Sequence, residues 1–194
     1  MNLIFDIGNV LFTFNPKEFI KNLFPDRPLQ AELAKAVFLT DEWPKVDLGE
    51  LTFSDACTII CERNPDMKTD ILHVFETMHT MLSPINETIS LLPKLKEAGH
   101  TLYYLSNIGF DFRDYLVSNY DCFSHFDGGI FSCDVNLIKP DEKIYQALLD
   151  KYNLSAHDCV FFDDISKNVQ AACEVGIKGI VFNDAECVRE FLGD

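Results

Sequence analysis

The sequence predicts an α/β fold: a Rossmann-like parallel sheet core carrying a small inserted helical domain. Three observations carry that expectation. A short apolar run, Leu3 to Phe5, stops at Asp6, and Gly8 and Asn9 then break the pattern. From Pro16 to about Leu82 the segments read as helices, with no convincing strand among them. After Pro84 helical and strand patterns alternate, as right-handed crossovers between parallel strands require. The expected division is 1–14 with 84–194 for the sheet core and 15–83 for the helical insert, which must stand outside the sheet.

Within the insert, Pro16 to Phe24, Pro28 to Leu39, Thr52 to Arg63 and Thr69 to Leu82 place apolar residues at helical spacing. Pro28 suits a first helical turn, and Thr52 or Ser54 suits the cap of the third segment. Asn86 to Ala98 reads as a helix closed by Gly99, although Pro93 disfavours its first half. Strands follow at Thr101 to Leu105, Gly129 to Ser132, Cys159 to Phe162 and Gly179 to Phe182. Helices over Phe110 to Asn119, Asp141 to Tyr152 and Ser166 to Val175 separate them, and a terminal helix closes the chain.

At 194 residues the chain suits one core domain with a smaller module, and 17 Phe in a 47% hydrophobic sequence can fill the interior. A formal charge of −15 excludes the field of Lys and Arg that nucleic acid or an anionic membrane requires of a partner. An anion must therefore be handled locally. The seven cysteines are odd in number and lack any C-x-x-C pair, which points to reduced structural thiols in a cytoplasmic protein. Asp6 interrupts the only apolar run near the N-terminus, and no stretch approaches ~18 apolar residues, so neither a signal peptide nor a membrane span is expected.

In a parallel sheet the carboxyl ends of the strands share one edge, where ligands bind. The first strand ends at Asp6, the second at Ser106-Asn107, and the fourth at Asp163-Asp164; Lys139 precedes Pro140 after the third. Three carboxylates, a hydroxyl, an amide and one lysine thus meet at one rim. Singly, each has an ordinary structural role as a cap, turn residue or surface charge. Adjacent Asp163 and Asp164 repel, and a bound cation relieves that cost; oxygen ligands with no His or Cys nearby select Mg²⁺ over Zn²⁺.

The ordered set Phe-Asp6-Ile-Gly-Asn-Val, Leu-Ser106-Asn, Lys139-Pro and Phe-Phe-Asp163-Asp164, followed by Asn168, resembles the four motifs of the haloacid dehalogenase-like hydrolase superfamily. Within it, the Asp-x-Gly-Asn-Val form resembles the small sugar-phosphate phosphatases of the α-D-glucose-1-phosphate phosphatase type. The resemblance spans essentially the whole chain and implies that the insert is the family's helical cap. It further implies a Mg²⁺-dependent phosphatase of small phosphorylated metabolites, with Asp6 as nucleophile and an aspartyl-phosphate intermediate. Mg²⁺ would be held by Asp6, the Gly8 carbonyl and the Asp163-Asp164 pair, Asp164 directly and Asp163 through water. Ser106, the Asn107 N–H and Lys139 would take the phosphoryl oxygens.

One position departs from the family's pattern. Most of its phosphatases carry a second Asp two residues after the nucleophile as general acid, and here that residue is Gly8. Three accounts stay open: a good leaving group such as an anomeric phosphate, an acid borrowed from the cap, or a silent metal- and phosphate-binding module. Dehalogenation leaves the carboxylate pair unexplained. For specificity the sequence offers Glu42-Trp43 and Asp47-Leu-Gly49-Glu50, a polar, turn-rich stretch in which a Trp face beside carboxylates suits a sugar ring.

Overall fold

The computed structural model describes residues 1–192. Five parallel strands form one sheet in the order β3-β2-β1-β4-β5. They are β1 (Asn2–Phe5), β2 (Thr101–Ser106), β3 (Gly128–Phe131), β4 (Cys159–Asp163) and β5 (Lys178–Val181). β1 lies between β2 and β4, with Phe5 opposite Tyr104 on one side and Phe162 on the other. A strand covered on both faces needs side chains that tolerate burial at every position, and Leu3, Ile4 and Phe5 are all fully buried. Central placement of this uninterrupted apolar run follows.

The insert contains α1 (Pro16–Leu23), α2 (Gln30–Phe38), α3 (Glu42–Asp47), α4 (Phe53–Arg63) and α5 (Lys68–Thr77), with a 3-10 turn over Met78–Met81. Thr52 caps α4 in a reciprocal capping box with Asp55. Pro28 stands outside the α2 bounds, since α2 begins at Gln30, whose side-chain amide donates to the carbonyls of Phe24 and Pro25. The stretch read as a polar turn contains α3, a six-residue helix with Pro44 inside its first turn, where a missing N–H costs nothing. The chain leaves and re-enters the core along neighbouring segments: Thr13 N–H donates to the Ser83 carbonyl, and Ile85 N–H to that of Leu11.

Beyond the insert come α6 (Asn86–Ile89), α7 (Leu92–Glu97), α8 (Phe110–Asn119), α9 (Ser132–Val135), α10 (Glu142–Tyr152), α11 (Ser166–Glu174) and α12 (Glu186–Arg189). The single helix expected over Asn86 to Ala98 is split at Ser90-Leu91, which places Pro93 at the start of α7. Ser132, expected at the end of a strand, instead opens α9. Residues of α10 and α11 pack with Ile4, Leu105 and Phe161 on one face of the sheet. On the other face Leu3, Phe5, Leu102 and Phe162 belong to one apolar cluster that runs on into the insert through Ile20, Val37, Ile60 and Val74. The seven thiols are free, five of them buried. Among the described residues no helix is long and apolar enough to cross a membrane.

The edge contact of β3 gives a test of how closely the sheet is packed. A β-carbon on Gly129 would lie 2.5 Å from the Tyr104 carbonyl oxygen and collide with that residue's ring. Gly129→Ala should lower the unfolding free energy by ~1–3 kcal/mol, read as a shift of the urea midpoint with an unchanged slope.

Candidate active site

The ends of β1, β2 and β4, with Lys139 from the segment after β3, deliver side chains into one cavity of about 220 Å³. Asp6 follows β1 directly, only 6% exposed, and its Oδ1 accepts the Ile7 N–H at 2.7 Å. Its backbone N–H continues the ladder to the Phe162 carbonyl at 2.9 Å, so the sheet fixes where the carboxylate emerges. Three residues on, Asn9 turns the chain with a left-handed φ of 54°, a conformation Asn tolerates better than most residues. The Asn9 side chain accepts from Phe14 N–H and donates to Asp164 Oδ2 at 3.0 Å.

Lys139 sits at the centre of the charge arrangement. Its ammonium lies 2.9 Å from Asp6 Oδ1, 2.7 Å from Asp163 Oδ2 and 2.9 Å from the Leu105 carbonyl, which it donates to. Asn107, after β2, clasps the lysine's backbone in both directions: its amide donates to the Lys139 carbonyl and its oxygen accepts the Lys139 N–H. Asp163 is fully buried behind the cavity, with Oδ1 accepting from Ile165 N–H and both oxygens within reach of the Asn168 amide. Asn168 is held in turn by Tyr145, whose hydroxyl donates to its carbonyl. Asp164 is the half-buried member of the pair and lines the cavity.

These positions shift the titration of the groups. Burial pushes Asp6 up to about 7, with Lys139 pulling it down and Asp163 pushing it further up. Burial likewise raises Asp164. Burial works against the charge of Lys139, but Asp6 and Asp163 outweigh it and hold the ammonium above its ordinary pKa. Asp6, Asp163 and Asp164 each offer an oxygen within 4.8 Å of the others. A donor set of carboxylates alone, with one cation to balance them, fits a hard divalent ion of the Mg²⁺ type.

All the residues read from the sequence as one rim lie at this place: Asp6, Gly8, Ser106, Asn107, Lys139 and Asp164 line the cavity, and Asp163 stands behind it. The specificity stretch is arranged differently from the expectation. Glu42 is buried and bound by both terminal nitrogens of Arg63, so it is committed to the insert's own structure. Trp43 packs among the rings of Phe14, Phe38, Phe53 and Phe112, while one edge lines the cavity. From the sequence Asp47 belongs to the specificity stretch and not to the rim. Asp47 lines the cavity, and burial pushes its carboxyl up to about 7, with Lys139 lowering and Asp6 raising it. The one local signal was Gly49, whose φ of +73° marks a tight turn just after it.

Comparison with known proteins gives concordant matches. A family model described as hydrolase, haloacid dehalogenase-like hydrolase, matches residues 1–176. The sesquiterpene phosphatase astK of Aspergillus oryzae is 29% identical over 98% of this chain and 95% of its own length. Bifunctional epoxide hydrolase 2 of Mus musculus is 29% identical over 90% of this chain, which spans only 32% of that protein. The solved structure of the had family enzyme bt-2542 from Bacteroides thetaiotaomicron, in complex with magnesium and inorganic phosphate, superposes with a TM-score of 0.73. It is 22% identical, covering 96% of this chain and 98% of that one, and shows a shared fold.

Removing the central cation would leave two buried carboxylates facing each other. Lys139→Met should therefore lower stability by ~3–5 kcal/mol. Burial holds Asp6 of the folded state at about 7 against an ordinary value of 3.8, so the folded state binds more protons and loses stability as pH rises through that window. The variant widens the gap, and chemical denaturation should show a larger deficit at about pH 8 than at about pH 5.

Proposed function

The chain belongs to the haloacid dehalogenase-like hydrolases, and from that premise we propose that it is a Mg²⁺-dependent phosphatase of small phosphate monoesters with Asp6 as its nucleophile. One observation carries the reading: the Ile7 N–H and the Lys139 ammonium both hold Oδ1 of Asp6, while Oδ2 accepts no hydrogen bond from any described residue. That is an oriented nucleophile with one oxygen spare. Attack by Oδ2 forms the Asp6–phosphorus bond as the bond to the departing alcohol breaks, and water then hydrolyses the aspartyl-phosphate. The Ser106 hydroxyl, the Asn107 N–H and the Lys139 ammonium are the donors for the phosphoryl oxygens.

Mg²⁺ would be held by Asp6, the Gly8 carbonyl and Asp164, with Asp163 linked through water, and would offset the repulsion between a phosphate dianion and a carboxylate nucleophile. Direct ligation by Asp164 rather than Asp163 is supported by the latter's engaged oxygens. In this reading residues 15–83 are a cap over the core formed by 1–14 and 84–194. The magnesium and phosphate named for the bt-2542 complex support the reading.

For the leaving group, sugar phosphates follow from the resemblance to the glucose-1-phosphate type, but the lining favours an apolar body. Phe14, Trp43, Leu82, Ile108, Phe112 and Leu116 surround the reacting end, and Glu42 is bound to Arg63 rather than free to meet hydroxyls. Phe14 and Trp43 also border a second groove of about 870 Å³, lined further by Ala34, Phe38 and Leu39. The sesquiterpene phosphatase name of the 29% identical relative points the same way.

Phosphate release from a panel of monoesters is the test. Activity should vanish with EDTA and return with Mg²⁺; activity that survives chelation, or none on any ester, excludes the proposal. Asp6→Asn should retain its fold while keeping less than about a hundredth of the rate. Phosphates of apolar alcohols should exceed glucose phosphates in kcat/KM by at least about tenfold, and the reverse order would restore the sugar reading.

A further inference from the structure

Cleavage of an unactivated phosphate ester releases an alkoxide unless a proton reaches the departing oxygen. Four titratable side chains line the cavity: Asp6, Asp47, Lys139 and Asp164. Asp6 attacks, Lys139 is paired with Asp6 and Asp163, and Asp164 is bonded to Asn9 within the carboxylate cluster. At Gly8 there is no side chain to help. Asp47 is the group left over, and it enters from the insert rather than from the sheet.

We propose that Asp47 is the general acid of ester cleavage and the general base of the hydrolysis that follows, an assignment that rests on the phosphatase reading. In the first step the Asp6 Oδ2–phosphorus bond forms, the phosphorus–oxygen bond to the alcohol breaks, and the Asp47 proton goes to that oxygen. In the second, water attacks phosphorus, the bond to Asp6 breaks, and the proton from water returns to Asp47.

The fold ties the loop that carries Asp47 to the core beside the cavity. Ser132 Oγ donates to the Asp47 carbonyl at 2.5 Å, and the Asn136 amide donates to that of Leu48 at 2.7 Å, so core side chains grip the loop on its backbone. Glycines on both sides let the loop come close: a β-carbon on Gly109 would lie 2.5 Å from Val46 Cγ1, and one on Gly49 would lie 2.7 Å from the Cys133 carbonyl. With its backbone tied down, the Asp47 carboxyl accepts no hydrogen bond and makes no ion pair with any described residue, leaving it free for a substrate oxygen or water. Burial, which pushes it up to about 7, keeps a fraction protonated near neutrality.

Two size-matched esters separate this role from a structural one. Benzyl phosphate has a leaving group that needs a proton, and p-nitrophenyl phosphate has one that does not; kcat/KM reports only steps through formation of the aspartyl-phosphate. Asp47→Asn should lose ~10²-fold on the benzyl ester and at least about tenfold less than that on the aryl ester. Equal losses on both, or no loss on either, overturn the assignment. The double variant Asp47→Asn/Gly8→Asp supplies a second reading, because a β-carbon at position 8 meets nothing closer than 3.9 Å. Selective recovery on the benzyl ester supports a missing proton donor, and a double variant no faster than Asp47→Asn on that ester counts against it. Wild-type protein inert toward both esters instead overturns the phosphatase reading itself.

Discussion

The buried ammonium of Lys139 between Asp6 and Asp163 is the contact on which the rest of the structure depends. Two carboxylates, 6% and 0% exposed, stand within ion-pair distance of one amine that is 3% exposed. Each ion alone would be expensive to desolvate, and the arrangement stands because the geometry is close and the remaining lone pairs are taken up. Asn168 and the Ile165 N–H complete Asp163, and Leu105 completes the ammonium. One carboxylate is saturated and fixed, while the other keeps an oxygen in reserve. A fully bonded carboxylate and one with a free oxygen thus share a single cation.

The electrostatics explain how a chain of net charge −15 can handle an anion. Positive charge is supplied at one buried point instead of being spread over a surface, and Asn107 and the Leu105 carbonyl fix that point in place. In the proposed reaction the aromatic lining would give the organic part of a substrate an apolar surface to rest on.

The sheet and the rim were legible because their signals are local. An apolar run that ends in Asp, Ser-Asn or Asp-Asp announces a buried strand and a polar terminus, and parallel topology turns that into proximity. The insert's short α3 was not legible. Glu42-Trp-Pro-Lys-Val-Asp47 has Pro44 within it and too few residues for a period, and it owes its helical state to packing. Asp47 escaped for the same reason: its neighbours Ser132 and Lys139 lie far along the chain, and no spacing rule connects them. The opening of α9 at Ser132 likewise reflects contacts with Asp47 and Ile108 rather than propensity.

The position of β1 between β2 and β4 has a consequence for how the molecule comes apart. Opening of a sheet begins at its margins, here β3 and β5, and must travel inward through a paired neighbour on either side before Asp6 is released. Asp47 rides on a six-residue helix whose loop is tied to the core by side-chain bonds from Ser132 and Asn136. On warming, Asp6 is therefore released only with the whole fold, while the placement of Asp47 lasts as long as those two bonds hold.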